Sequence, residues 1–177
     1  TVKIMTCLLA LENAQLTDQV TMTATGVSGV TDGGASISSQ VDEVFTVEQC
    51  LYAIMVASAN DIALQIAEHV GGSVDNFVQM MNSRAQELGC TNTVFTNPTG
   101  LPDDNQHTTA HDMALIMQAA IQSESFRTIA AATSYTIPAT NKAADRNLTS
   151  KFTMTDTAST GFYEGCIGGK EGYTEAS

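Results

Sequence analysis

Hydrophobic positions fall at helical spacing from the first residues onward: IMTCLLALENA predicts a helix from Thr1 to about Ala14. QVTMTATGV, Gln19 to Val27, turns to alternation with many β-branched residues and predicts a strand, followed by a loop over SGVTDGGASIS. Thr46 to Gln49 (TVEQ) is a capping box, a hydroxyl cap with an amide three residues on. It opens LYAIMVAS, which is apolar on nearly every face and predicts a central, buried helix. The small polar residues Ser58-Ala59-Asn60 interrupt it, and DIALQIAEHVGG resumes as a second helix ending at Gly71. Ser73 caps a further helix, VDNFVQMMNSRAQEL, closed by Gly89.

CTNTVFTNPTGLPDDNQH has Pro, Gly, Asn and Asp without periodicity, which predicts a long ordered loop of the kind found at binding sites. TAHD then caps the helix DMALIMQAAIQ, and SFRTIAAA adds a short helical piece. After that the texture changes: SYTIP, KFTMT and CIGGKEGYTEAS read as strands and turns. The chain is thus a helical lobe followed by the start of a sheet with too few strands to stand alone.

Composition narrows the classes. A length of 177 residues with 43% hydrophobic content suits one domain with a real core and argues against disorder. Nineteen acidic against seven basic residues give a net charge of -12, which repels phosphate backbones and anionic lipid and excludes nucleic acid as a general partner. No apolar run approaches the roughly 18 residues of a membrane span, so any membrane anchor or export signal is expected in segments outside this chain. Cys7, Cys50, Cys90 and Cys166 are widely spread without zinc-like spacing, and Cys7 and Cys50 fall in apolar helical stretches where a thiol packs as a small hydrophobe. His107 and His111 form HxxxH without the glutamate of a metalloprotease helix, so no metal and no other cofactor is expected. Asn147-Leu148-Thr149 fits a glycosylation sequon that is common by chance.

Three polar insertions stand where packing alone would not put them. Lys3 lies in the first turn of an apolar helix that has no capping residue before Thr1; Ser58-Ala59-Asn60 lies between buried helices; and Gly169-Lys170-Glu171-Gly172-Tyr173-Thr174 is expected on a late strand. Their order, Lys, then Ser-x-Asn, then Lys-x-Gly, matches the motif set of acylating serine enzymes that act on peptidoglycan precursors and β-lactams. With SANDIA, MNSRAQELGCTNTVFTNPTGL, HTTAHDMALIM and GGKEGYTEAS, the chain resembles throughout its length the low-molecular-mass penicillin-binding proteins that are serine D-alanyl-D-alanine carboxypeptidases.

The resemblance implies an α+β, penicillin-binding-protein and β-lactamase-like transpeptidase fold, a helical lobe plus an antiparallel sheet, with residues 1–177 a single peptidase domain incomplete at both ends. In that family the nucleophilic serine sits three residues before the lysine, which places it one position upstream of Thr1 and makes TVKIMT the tail of the nucleophile helix. Lys3 would be its general base, with a lowered pKa. Ser58 would relay a proton to the leaving D-alanine, and Asn60 would hold Lys3 and the substrate amide. Lys170 would attract the terminal carboxylate of the peptide, with Glu171 and Gly172 completing the motif, and the Tyr173 N–H would complete an oxyanion hole. The implied partners are peptidoglycan stem peptides and β-lactams, and the implied place is the bacterial cell envelope or exterior. One departure stands out: Glu171 occupies the position where the family carries threonine, setting a carboxylate against the substrate carboxylate. It keeps a non-catalytic peptidoglycan-binding homologue open as an alternative. A serine β-lactamase is the other alternative, although no glutamate-bearing deacylation loop is evident.

Overall fold

The structure, a computed structural model, describes residues 2–31 and 34–172. Its helices are α1 (Val2–Asn13), α2 (Ala24–Ser28), α3 (Val47–Val56), α4 (Asn60–Gly71), α5 (Val74–Glu87), α6 (Ala110–Ala120) and α7 (Glu124–Ala130). Four short strands, β1 (Gln19–Thr21), β2 (Val44–Thr46), β3 (Ser134–Ile137) and β4 (Arg146–Thr149), form two antiparallel pairs, β1 with β2 and β3 with β4.

Helix α1 is the axis of the lobe. Lys3 through Ala10 are all buried, and the helix packs on α3, α4, α5, α6 and α7. A helix apolar all round can only be stable when surrounded, so its composition fixes its place. Helix α3 is the second buried layer: the expected capping box is present, with Thr46 Oγ1 accepting from Gln49 N and Gln49 Oε1 accepting from Thr46 N. From it Leu51, Ala53 and Ile54 are wholly buried. Ser73, Thr109 and Ser123 cap α5, α6 and α7 through their side-chain oxygens.

Three expected strands are corrected. Alternation predicts a strand over Gln19 to Val27, yet β1 ends at Thr21 and the chain turns into α2, capped by Thr23. Tertiary packing decides this: α2 lies against α4, and a Cβ at Gly26 would stand 2.6 Å from Gln65 Oε1, an approach open only to glycine. KFTMT, residues 151–155, forms no strand; the partner of β3 is β4, just before it, in the register Ser134↔Thr149 to Ile137↔Arg146. Likewise no strand occurs from Cys166 to Gly172, and Tyr173 lies outside the described residues. Arg146 on β4 reaches back to the buried Glu43 carboxylate at 2.7 Å, tying this hairpin to the helical lobe.

Candidate active site

The turn between α3 and α4 is the sharpest irregularity in the buried layer. Ala57 closes α3, and Ser58 adopts φ 59, the left-handed region that costs a non-glycine residue energy and recurs at functional sites. Ala59 then swings the chain into α4, whose first residue is Asn60. Two contacts hold that entry. Asn60 N donates to Ala35 O at 2.7 Å, and the wholly buried Asp61 carboxylate accepts from Ser39 N and Ser39 Oγ at 3.1 and 2.8 Å.

Asn60 faces α1. Lys3 is 6% exposed, and its Nζ donates to Asn60 Oδ1 at 2.7 Å and to Thr99 O at 2.5 Å. A buried ammonium is tolerated only with such acceptors. The second acceptor comes from the long loop between α5 and α6. Thr6, one turn along α1 from Lys3, donates its hydroxyl to Pro98 O at 2.8 Å, so residues 98–100 run along the start of α1. Gly100, at φ 82, is backed directly by Val2. The loop holds its own shape around Asn97, whose Oδ1 accepts from Thr99 N, Thr99 Oγ1 and Gly100 N.

Farther along, Asp112 takes Asn92 N and Thr93 Oγ1 at 2.8 and 2.7 Å and fixes the loop to α6. The Thr93 hydroxyl, with the Asn92 amide, holds the Asp112 carboxyl down at about 2. His107 Nδ1 bonds Asn105 O, His111 lies beside Asp112, and no group of three His, Cys, Asp or Glu able to hold a metal occurs among the described residues.

Lys170 completes the set. It is 8% exposed, and its Nζ donates to Glu171 O at 2.7 Å and Glu171 Oε1 at 2.8 Å. Burial pushes the Cys7 thiol up to about 12, although the Lys3 and Lys170 charges both lower it. Cys7, Cys50 and Cys90 are free and buried, Cys166 free and half-buried. Of the residues singled out in the sequence, then, Lys3 and Asn60 are in direct contact and Lys170 pairs with Glu171. Ser58 sits two residues before Asn60 and is half-buried, Gly172 is exposed, and Tyr173 falls outside the described residues. Thr6, Asn97 and the Thr99 carbonyl are additions: Thr6 carries the same signal as Lys3, a polar residue in an apolar run, whereas the only signal for the other two is the NPTG turn in an aperiodic segment.

Residues 1–177 match the D-alanyl-D-alanine carboxypeptidase family. The chain is 35% identical over 178 residues to D-alanyl-D-alanine carboxypeptidase DacF of Bacillus subtilis, covering 97% of this chain and 43% of that protein. It is 32% identical over 182 residues to DacB2 of Mycobacterium tuberculosis, covering 100% of this chain and 58% of that protein. It therefore spans about half the length of these curated relatives. Among solved structures, the D-alanyl-D-alanine carboxypeptidase of Mycobacterium tuberculosis H37Rv superposes with a TM-score of 0.85 at 29% identity, over 99% of this chain and 63% of that one. The Streptomyces K15 DD-transpeptidase superposes with a TM-score of 0.88 at 27% identity, over 98% of this chain and 70% of that one. The fold is the α+β fold of penicillin-binding proteins and DD-peptidases. By its matched length and by these relatives, the chain belongs to the D-alanyl-D-alanine carboxypeptidase family.

Proposed function

We propose that this chain carries most of the machinery of a serine carboxypeptidase that removes the terminal D-alanine from peptidoglycan stem peptides through an acyl-enzyme, and that β-lactams acylate the same serine. The observation that carries the reading is the buried Lys3 ammonium bonded to Asn60 Oδ1 at 2.7 Å across 57 residues of sequence. Packing gives no reason to bury a lysine at the head of the most enclosed helix, whereas proton transfer at that place does.

In the proposed cycle the serine expected just before Thr1 attacks the carbonyl carbon of the penultimate D-alanine, and its proton passes to Lys3 Nζ, which takes part once its ammonium has released a proton to solvent. Ser58 carries a proton onward to the leaving nitrogen; the C–N bond breaks and free D-alanine departs. Water then adds to the ester carbonyl, giving its proton back through the same groups, and the serine–acyl bond breaks. Asn60 orients Lys3 and the substrate amide, and Lys170 draws the peptide terminus into place. Such chemistry belongs outside the cytoplasm, where the stem peptides are, and no helix among the described residues is long and apolar enough to cross a membrane.

Incubation of a protein that includes the serine with labelled penicillin tests the reading. The expected result is one adduct per chain, on that serine, formed on the order of 10²-fold or more slowly after Ser58→Ala. The pairing of Glu171 with Lys170 favours one competing reading, a peptidoglycan-binding homologue without turnover, and the absence of any adduct on correctly folded protein would establish it.

A further inference from the structure

Helix α4 begins with Asn60, yet its own N-cap does not fix where it begins. Thr46, Ser73, Thr109 and Ser123 cap the helices that follow them, whereas Ala59 has no side-chain oxygen to offer α4. The Asn60 N–H is taken instead by Ala35 O, at 2.7 Å, from the segment between α2 and β2. That segment is gripped from two sides. On one, the wholly buried Asp61 carboxylate accepts from Ile37 N with Oδ1 at 3.4 Å, and from Ser39 N and Ser39 Oγ with Oδ2 at 3.1 and 2.8 Å. On the other, Arg146 donates from Nε to Ile37 O at 3.0 Å and from Nη2 to Ser38 O at 3.4 Å, with Glu43 meeting its charge at 2.7 Å. Asp61 and Arg146 thus take the N–H and C=O sides of one short stretch, so that opposite charges face each other through peptide groups. Ser38, between the two residues bound to Asp61, stands at φ 56, a left-handed conformation that a serine keeps only when its surroundings hold it there.

We propose that Asp61 is a positioning residue for acylation: by pinning residues 37–39 it keeps Ala35 O on Asn60 N, and thereby Asn60 Oδ1 at 2.7 Å from Lys3 Nζ. The inference rests on Lys3 serving the serine as proposed above. Asp61 acts through Asn60 and exchanges no proton with the substrate. Its two oxygens serve donors on Ile37 and Ser39 separately, and an asparagine, with one acceptor oxygen, cannot replace both. Releasing this grip lets the first turn of α4 drift, and an error of about 1 Å in a catalytic group is enough to slow a reaction about 10²-fold.

In the serine-bearing protein, Asp61→Asn should lower the limiting rate constant of penicillin acylation by about tenfold or more and leave the half-saturating concentration within about threefold, because the cleft remains and only the base is misaligned. A merely structural residue gives the same loss in every background. A positioning residue does not: in the Asn60→Ala protein, Asp61→Asn should slow the residual acylation no further, while still lowering the urea midpoint. If Asp61→Asn does not fold, Ser39→Ala, which removes only a hydroxyl donor, should show the same dependence on Asn60 at about two- to fivefold. Acylation of folded Asp61→Asn at the parent rate, or an equal loss with and without the Asn60 side chain, would overturn the inference. The 177-residue chain gives a further readout that needs no serine. In NMR spectra of isotope-labelled lysine, the Lys3 ammonium signal should shift or broaden on Asp61→Asn, and an unmoved signal counts against the inference. Such a shift in a protein whose serine-bearing form is never acylated refutes the enzyme and upholds the positioning; acylation with neither rate nor signal moved by Asp61→Asn upholds the enzyme and refutes the positioning.

Discussion

Lys3 joins function and stability within one side chain. Its ammonium is held by Asn60 Oδ1 and Thr99 O, but desolvating a charge offsets much of what those bonds return. Lys3→Met removes a buried charge but leaves Asn60 Oδ1 and Thr99 O without their donor, so it should destabilise by about 1 to 3 kcal/mol while slowing penicillin acylation by about 10²- to 10⁴-fold, the usual worth of a general base. Acylation of the folded variant at the parent rate, with folding read by circular dichroism, would show that the lysine is structural. Ser58 sets function against stability through its backbone. At φ 59, Ser58→Gly should stabilise by about 0.5 to 1 kcal/mol in urea titration, while removing the hydroxyl that the proposed relay needs. At this scale the sequence reveals side chains and conceals main chain. Lys3 and the Ser58–Asn60 pair are visible because a polar residue in an apolar run is conspicuous. The Thr99 carbonyl that takes the second Lys3 bond has no residue-type signature, since every residue has one.

The elements that were legible are those whose local signal and burial agree. The capping box at Thr46 and Gln49, the Ser73 and Thr109 caps and the all-round apolarity of α1 and α3 each leave one solution. The strands were legible only in part because they are three or four residues long, and their partners are chosen by tertiary contacts. Gly26 against Gln65 turns a β-rich stretch into α2, and the reach of Arg146 to Glu43 draws the β3 partner toward Arg146–Thr149. The loop from Cys90 to Thr109 matters most among the irregular segments, because its turn at residues 97–100 supplies an acceptor to Lys3. Gly100→Ala should destabilise by about 1 to 2 kcal/mol, since alanine is strained at φ 82 and its Cβ would press on Val2 at 3.3 Å. The same substitution should slow acylation more than the stability loss explains, which parallel denaturation and labelling curves would reveal.

For the molecule as a whole, stability depends on carboxylates that fold into hydrogen bonds. Asp112 is held near 2 by Thr93 and Asn92. Glu43 is pushed up by burial but held lower on balance by Arg146, Thr140 and Gln40, and Glu68 is lowered by Thr23 and Thr25. Each has a folded pKa below its unfolded value, so its contribution is complete above the ordinary carboxylate range and is lost as pH falls through the folded pKa. Melting temperature should therefore drop between pH 4 and pH 2. Asp112→Asn should melt below the parent at pH 7 and converge on it near pH 2; a constant gap across that range would contradict the assignment. The Lys3 contacts have a separate consequence in time. Asn60 and Thr99 lie 57 and 96 residues from Lys3, so its burial requires α1, α4 and the loop between α5 and α6 to be docked together, with the loop-closure entropy of both spans already met. A chain in which α4 or that loop is undocked from α1 does not shield that amine. Its acetylation by an amine-reactive reagent would then proceed only through opening events that dismantle the lobe, which makes Lys3 a built-in clock for the lifetime of the native state.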